Sequence, residues 1–358
     1  MNYRLFGRSG LRVSELALGT MTFGTDWGWG ADRDECRKLF DCYAEAGGNF
    51  VDTANNYTNG ASERIVGELV SADRDHFVLA TKYSLSTRPD DPNAGGTHRK
   101  NLVRALEASL ERLGTDHVDL LWVHMWDGMT PVEEVVRALD DLVRAGKVLY
   151  VGASDTPAWA VARAVTMAEL RGWAAFCGLQ VPWSLADRSV ENELLPLAAA
   201  LDLAVTPWGV LESGELTGKY LTEAQPGGGT ALEPAAGQGR PTRSRAEEVS
   251  PRFTDLAREV VAVATALGRP PAQVAINWVR QQPVGCPVIP IVGARSAPQL
   301  ADNLGCLEFE LTAEQLARLT AASAFQPGFP RSFLESDHVR GLVFGTTFER
   351  IAAHRRAG

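Results

Sequence analysis

The chain has 358 residues, of which 45% are hydrophobic, and a net charge of −9. That is ample material for a large core, and the acidic balance argues against a polyanionic partner, because nucleic-acid binding needs a basic stripe. No stretch approaches 18 uninterrupted apolar residues, so no membrane span is expected; residues 1–10 carry Arg4 and Arg8 with too little apolar length for a signal peptide, and the five scattered cysteines form no C-x-x-C pair, as in a cytoplasmic protein with reduced thiols.

Residues 3–14 read as a hairpin turned at Gly7, Arg8, Ser9 and Gly10. An alternation of strands and helices follows. Residues 15–21 form a strand, 32–46 a helix closed by Gly47 and Gly48, and 49–54 a strand. A helix over 62–70 has Ser62 as its cap. Then come a strand (77–82), a helix stopped by Gly114 (100–113) and a strand (118–124). The next helix opens at Thr130 and Pro131, with proline in its first position and Glu133 and Glu134 in its first turn. Further strands are expected at 148–153, 176–181, 203–207 and 287–292, with helices at 157–170, 191–200, 254–267 and 271–280 and another from 298. Two long connections, 84–99 and 221–251, are rich in Pro and Gly, and loops of that length are lids, binding loops or disordered segments. The tail, 325–358, either covers the mouth of the fold or packs on its surface.

Eight strands made of continuous apolar runs, each followed by a helix, fit an α/β fold of the (β/α)8 TIM-barrel class as one domain over 1–358, with the N-terminal hairpin outside the repeat and the tail near the barrel mouth. A doubly wound sheet is the lesser fit, since no G-x-G-x-x-G follows any strand. In such a barrel the residues at the C-terminal strand ends line the active site. The second, third and fourth strands end in Asp52, Lys82 and His124, and Tyr57 follows Asp52 by five residues. A phenol ionises near pH 10. A neighbouring ammonium favours the phenolate and lowers that pKa, Asp52 can hold Lys82 charged, and His124 can donate to a carbonyl oxygen. The set is a proton donor and oxyanion site lacking a hydride. A metal site at Asp52 and His124 is the rival reading, but no second histidine or ligand spacing accompanies them. Phe23, Trp27, Trp29 and Trp126 can form an aromatic pocket wall.

The chain from about residue 3 to about 320 resembles the aldo-keto reductase superfamily. Asp52 to Tyr57 resembles its D-x-A-x-x-Y segment, and Lys82 and His124 lie in segments like its lysine and histidine segments. The resemblance implies Tyr57 as general acid with Asp52, Lys82 and His124 as partners, and NADP(H) extended across the barrel mouth. It implies cofactor contacts at Gly19 and Thr20, at Ser154 and Asp155 (where an asparagine is usual), at Gln180, and at Trp208 stacked on the nicotinamide. Gly209, Leu211, Gly214 and Lys219 fall in a loop like the one covering the pyrophosphate. Gly293, Arg295, Ser296, Gln299 and Asn303 fall in a segment like the one gripping the adenosine 2′-phosphate and adenine. The run Ser154, Asp155, Thr156, Pro157, Ala158, Trp159 is closest to the aryl-alcohol dehydrogenase-like branch; the general layout also resembles ketoreductases of nucleotide-bound deoxysugars. The expected activity is NADPH-dependent reduction of an aldehyde or ketone. The alternative is a non-catalytic cofactor-binding subunit like the potassium-channel β subunits.

Overall fold

The computed structural model of the protein describes residues 1–221 and 251–351. The hairpin β1 (Tyr3–Leu5) and β2 (Arg12–Ser14) comes first. Eight parallel strands follow: β3 (Ala17–Gly19), β4 (Phe50–Asp52), β5 (Val78–Tyr83), β6 (Val118–Val123), β7 (Val148–Ser154), β8 (Phe176–Pro182), β9 (Ala204–Trp208) and β10 (Ile291–Val292). They pair in the order β10-β3-β4-β5-β6-β7-β8-β9. The ring closes between β9 and the segment before β10, where Val205 N–H donates to the Pro287 carbonyl at 2.8 Å and Ile289 N–H to the Val205 carbonyl at 2.8 Å. This is the (β/α)8 barrel expected from the alternation.

Helices α1 (Arg33–Glu45), α2 (Ala61–Val70), α3 (Arg99–Leu113), α4 (Val132–Arg144), α5 (Ala158–Arg171) and α6 (Leu194–Leu201) each return the chain between consecutive strands. Among the described residues α7 (Pro251–Leu267) and α8 (Pro271–Arg280) lie between β9 and β10, and α9 (Ala297–Leu304) follows β10. One apolar cluster fills the layer between strands and helices, and a second fills the barrel interior. The interior cluster contains Phe50, Ala80, Leu120, Trp122, Cys177, Ala204 and Ile289, capped from the hairpin side by Phe6 and Val13. Phe6 meets Phe50 and Trp122 edge-on at 5.6 and 6.2 Å. Glycines on the next two strands make room for these rings: a side chain at Gly152 would run into Trp122, and one at Gly178 into Phe6.

Local details depart from the sequence reading for identifiable reasons. Ser62 does not cap α2. The cap position is Gly60, and the Ser62 hydroxyl donates to the Thr20 carbonyl at 2.8 Å. Pro131 caps α4 from outside instead of opening it. β10 has two residues rather than six, because Pro287 and Pro290 have no N–H to give a ladder. His124 lies one residue past the end of β6. The connection 84–99 is tied near its end to Asp127, which accepts from Thr97 N–H (2.7 Å) and, within its own loop, from Met129 N–H (2.9 Å), Thr130 N–H (2.8 Å) and the Thr130 hydroxyl (2.7 Å).

The connection 221–251 lies outside the described residues save at its two ends. After α10 (Ala313–Ala322), the tail carries α11 (Arg331–Leu334) and α12 (Asp337–Phe344). It joins the loop after β8, where Gly328 N–H donates to Asn192 Oδ1 at 3.1 Å and Arg331 bonds the Glu191 carbonyl. That loop leaves the C-terminal end of its strand, so the tail runs beside the mouth. Among the described residues no helix is long and apolar enough to cross a membrane.

Candidate active site

β4, β5 and β6 are adjacent and in register, Asp52 beside Ala80 and Lys82 beside Trp122. This neighbourhood brings the polar strand ends together. Lys82, fully buried, forms an ion pair with Asp52 and donates to the Thr53 carbonyl at 2.8 Å and to the Tyr57 hydroxyl at 3.1 Å. Its Nζ also lies 4.6 Å from the centre of the Tyr57 ring. The edge of His124 meets that ring at 5.9 Å. The second oxygen of Asp52 accepts from Gln180 Nε2 at 3.0 Å. A charge pair buried this deeply persists only with such complete partnering, and removing one member typically costs about 3–5 kcal/mol.

Burial works against the Lys82 charge, but Asp52 and then Tyr57 outweigh it, and the lysine pKa is raised. Burial likewise raises the Tyr57 pKa, and here the opposing Lys82 charge does not prevail. The net shift is opposite to the lowering expected from the lysine alone: the phenol is desolvated more than it is compensated. Tyr57 therefore keeps its proton. His124 is driven down to about 3, first by burial and then by the Lys82 charge, so its ring is neutral at ordinary pH.

Tyr57 is held by a tight turn. Thr58 and Asn59 are both left-handed, with φ of 44° and 54°, and the turn is secured from both sides. The Thr58 hydroxyl donates to the Phe23 carbonyl at 2.6 Å and accepts from Ser62 N–H at 3.0 Å. Asn59 Oδ1 accepts from the Trp27 indole at 3.4 Å. Trp27 lies edge-on to Tyr57 at 6.5 Å and tilted on Trp29 at 5.5 Å. Phe23 is different from the pocket residue expected: it is 1% exposed, packs in the core and offers the turn only its carbonyl. Trp126 meets Trp159 edge-on at 6.5 Å. Trp159, 60% exposed at the start of α5, is a rim aromatic that strand-end reasoning passes over; its signal was its place two residues after the Pro157 that ends the β7 loop.

The remaining predicted positions ring the same mouth. Gly19 ends β3, and the Thr20 hydroxyl donates to the Asp52 carbonyl at 2.9 Å. Ser154 ends β7. Asp155 is left-handed (φ 42°), a conformation that Asp and Asn tolerate better than other side chains, so aspartate keeps the backbone an asparagine would have. Burial raises the Asp155 pKa, opposed by the Trp208 indole, which reaches Oδ1 at 3.4 Å, and by Lys82. Trp208 ends β9, 40% exposed and open to stacking. Gly209 and Leu211 lead into a loop with Gly214 at φ 89°, across which Lys219 donates to the Ser213 carbonyl at 3.2 Å. Beyond β10, Gly293 and Arg295 are exposed, Ser296 caps α9, and Gln299 accepts from Arg295 N–H at 3.0 Å. Asn303 is 2% exposed and its Nδ2 has no hydrogen-bond partner. That orphaned amide, the open Trp208 face and the exposed Gly293 backbone suit an extended dinucleotide. Sequence reasoning did not find the Gln180 bond to Asp52.

The sequence pattern of the Aldo/keto reductase family matches residues 15–324. The chain is 39% identical over 336 residues to norsolorinic acid reductase of Emericella nidulans, covering 91% of this chain and 82% of that one. Norsolorinic acid reductase A of Aspergillus parasiticus is 36% identical over 341 residues, with 91% and 82% covered. Aryl-alcohol dehydrogenase (NADP+) of Phanerodontia chrysosporium is 34% identical over 372 residues, with 98% and 90% covered. A pattern matched across most of the chain, on the barrel and strand-end groups described above, means that this protein belongs to the Aldo/keto reductase family of oxidoreductases, in its aryl-alcohol dehydrogenase-like branch.

Proposed function

We propose that the protein reduces an aldehyde or ketone to an alcohol with NADPH, and that Tyr57 is the general acid. The observation that carries this reading is the position of Lys82 Nζ, bonded at once to Asp52, the Thr53 carbonyl and the Tyr57 hydroxyl beside a neutral His124. When bound, the nicotinamide supplies the hydride. Tyr57 then gives its proton to the oxygen that becomes an alkoxide, and Lys82 stabilises the phenolate left behind. His124, neutral, donates a hydrogen bond to the same oxygen and fixes its direction. Gln180 keeps Asp52 facing Lys82. Trp27, Trp29, Trp126 and Trp159 favour a flat aromatic carbonyl compound, in keeping with the names of the relatives. Ser154, Asp155, Gln180 and Trp208 would hold the nicotinamide end, Gly209 to Lys219 the pyrophosphate, and Arg295, Ser296, Gln299 and Asn303 the adenosine end.

The test is oxidation of NADPH, followed at its absorbance band, against a panel of aromatic aldehydes and ketones. Turnover lost in Tyr57→Phe supports the reading. NADPH binding without turnover of any panel member would favour a cofactor-binding subunit instead.

A further inference from the structure

The reaction needs the His124 ring aimed at one point, yet no hydrogen bond on the ring aims it. His124 is buried, and its Nδ1 has no partner. A working histidine is usually oriented through the nitrogen it does not use. Something else must set its direction.

The β5–β6 ladder ends just there. His124 N–H donates to the Tyr83 carbonyl at 2.9 Å. One residue later the β5 backbone turns away: Ser84 has φ of 104°, well inside the region that favours glycine. Its carbonyl goes to Gly96 N–H at 2.7 Å, in the loop that follows. Its side chain does what its backbone no longer can. The Ser84 hydroxyl accepts from Met125 N–H at 2.9 Å and donates to the Met125 carbonyl, also at 2.9 Å. One buried hydroxyl thus satisfies both backbone groups of the residue after His124 and extends the ladder by one rung.

We infer that Ser84 is a positioning residue for the carbonyl reduction read above, clamping the backbone on the far side of His124 so that its ring stays at a fixed angle to Tyr57 and Lys82. His124 is then gripped from both sides by the strand that carries Lys82: by Tyr83 through its own N–H, and by Ser84 through Met125. The strain at Ser84 supports this. Glycine would adopt that φ freely, but glycine has no hydroxyl.

Two variants and two kinds of readout test it. Ser84→Gly relieves the backbone and removes the hydroxyl. Its melting temperature is expected at or above wild type, while kcat falls about tenfold or more, the size of effect that slight misplacement of a reacting group produces, and NADPH binding is unchanged. Ser84→Ala removes the hydroxyl but keeps the strain, so the same fall in kcat comes with a lower melting temperature. In protein labelled with 15N-histidine, the His124 ring signal, assigned by its loss in His124→Gln, is expected single in wild type and broadened or doubled in both variants. Wild-type kcat in Ser84→Gly overturns the inference. So does a fall in kcat with an unchanged ring signal, since Ser84 would then act elsewhere. If the wild-type protein turns over no carbonyl compound, the reductase reading fails, and the ring signal alone decides whether the clamp exists.

Discussion

Tyr57 holds its proton because burial outweighs the ammonium beside it. A phenol that stays neutral has a proton to give, and in the proposed reduction Lys82 matters once that proton leaves. Tyr57→Phe removes the proton and one of the three acceptors of Lys82, while the ring still packs against Trp27 and His124. Its kcat/KM should fall by roughly 10²-fold or more with NADPH binding near wild type; the two are separated by steady-state kinetics and fluorescence titration. At the adenosine end, Arg295 is exposed just past β10. A guanidinium can meet a 2′-phosphate bidentately, and a charge-assisted interaction of this kind is worth about 1.5–3 kcal/mol in all. Arg295→Ala should therefore weaken NADPH by roughly one to two powers of ten and leave NADH nearly unchanged. Quenching of tryptophan fluorescence, with Trp208 in the proposed nicotinamide site, gives both dissociation constants; equal weakening would mean that Arg295 supports the loop instead.

Among elements, the connection 84–98 shows how a segment that reads as floppy becomes ordered. Burial opposes the Asp127 charge, but three backbone N–H groups and the Thr130 hydroxyl hold its carboxyl well below the usual carboxylate range. Asp127→Ala should cost about 2–3 kcal/mol, lower the melting temperature by several degrees, and speed hydrogen exchange at the Thr97 and Thr130 amides while sparing those of β7. The sequence carries no trace of the link between the two loops, because the Thr97 donor lies thirty residues before Asp127, while the other three donors, on Met129 and Thr130, belong to the loop of Asp127 itself. The barrel itself was legible: apolar runs ending in Asp52, Lys82 and His124 show both the period of the fold and the polar ends of its strands. What was not legible depends on exact backbone direction. Ser62 sits where a cap belongs, yet the left-handed turn at Thr58 and Asn59 points its hydroxyl at Thr20. Residues 287–292 are apolar enough for a full strand, and only the two missing proline N–H groups shorten it. Phe23 has the composition of a pocket wall, but the chain turns it inward.

For the molecule as a whole, stability in mild acid turns on His124, the one histidine among the described residues with a resolved shift. Burial keeps it neutral in the folded protein down to about 3, against an ordinary value of 6.5. Below 6.5 the unfolded chain takes a proton that the folded one refuses, so stability is full above that pH and declines as pH falls from 6.5 towards 3. His124→Gln should flatten this part of the profile. The drop in melting temperature from pH 7 to pH 5 should be smaller in the variant than in wild type; equal drops would place the acid sensitivity in other groups.

The hairpin that closes the bottom of the barrel sets an order of events on the ribosome. Phe6 is made long before its companions in the interior cluster, which include Cys177, Ala204 and Ile289. At a synthesis rate of roughly 5–20 residues per second, that aromatic ring waits many seconds for its neighbours, so the hairpin is seated only once the segment before β10 has been made. Nascent chains stalled before Ala204 should leave a probe at position 6 reactive, and chains stalled well past Ile289 should protect it; early protection would show that the hairpin finds another shelter first.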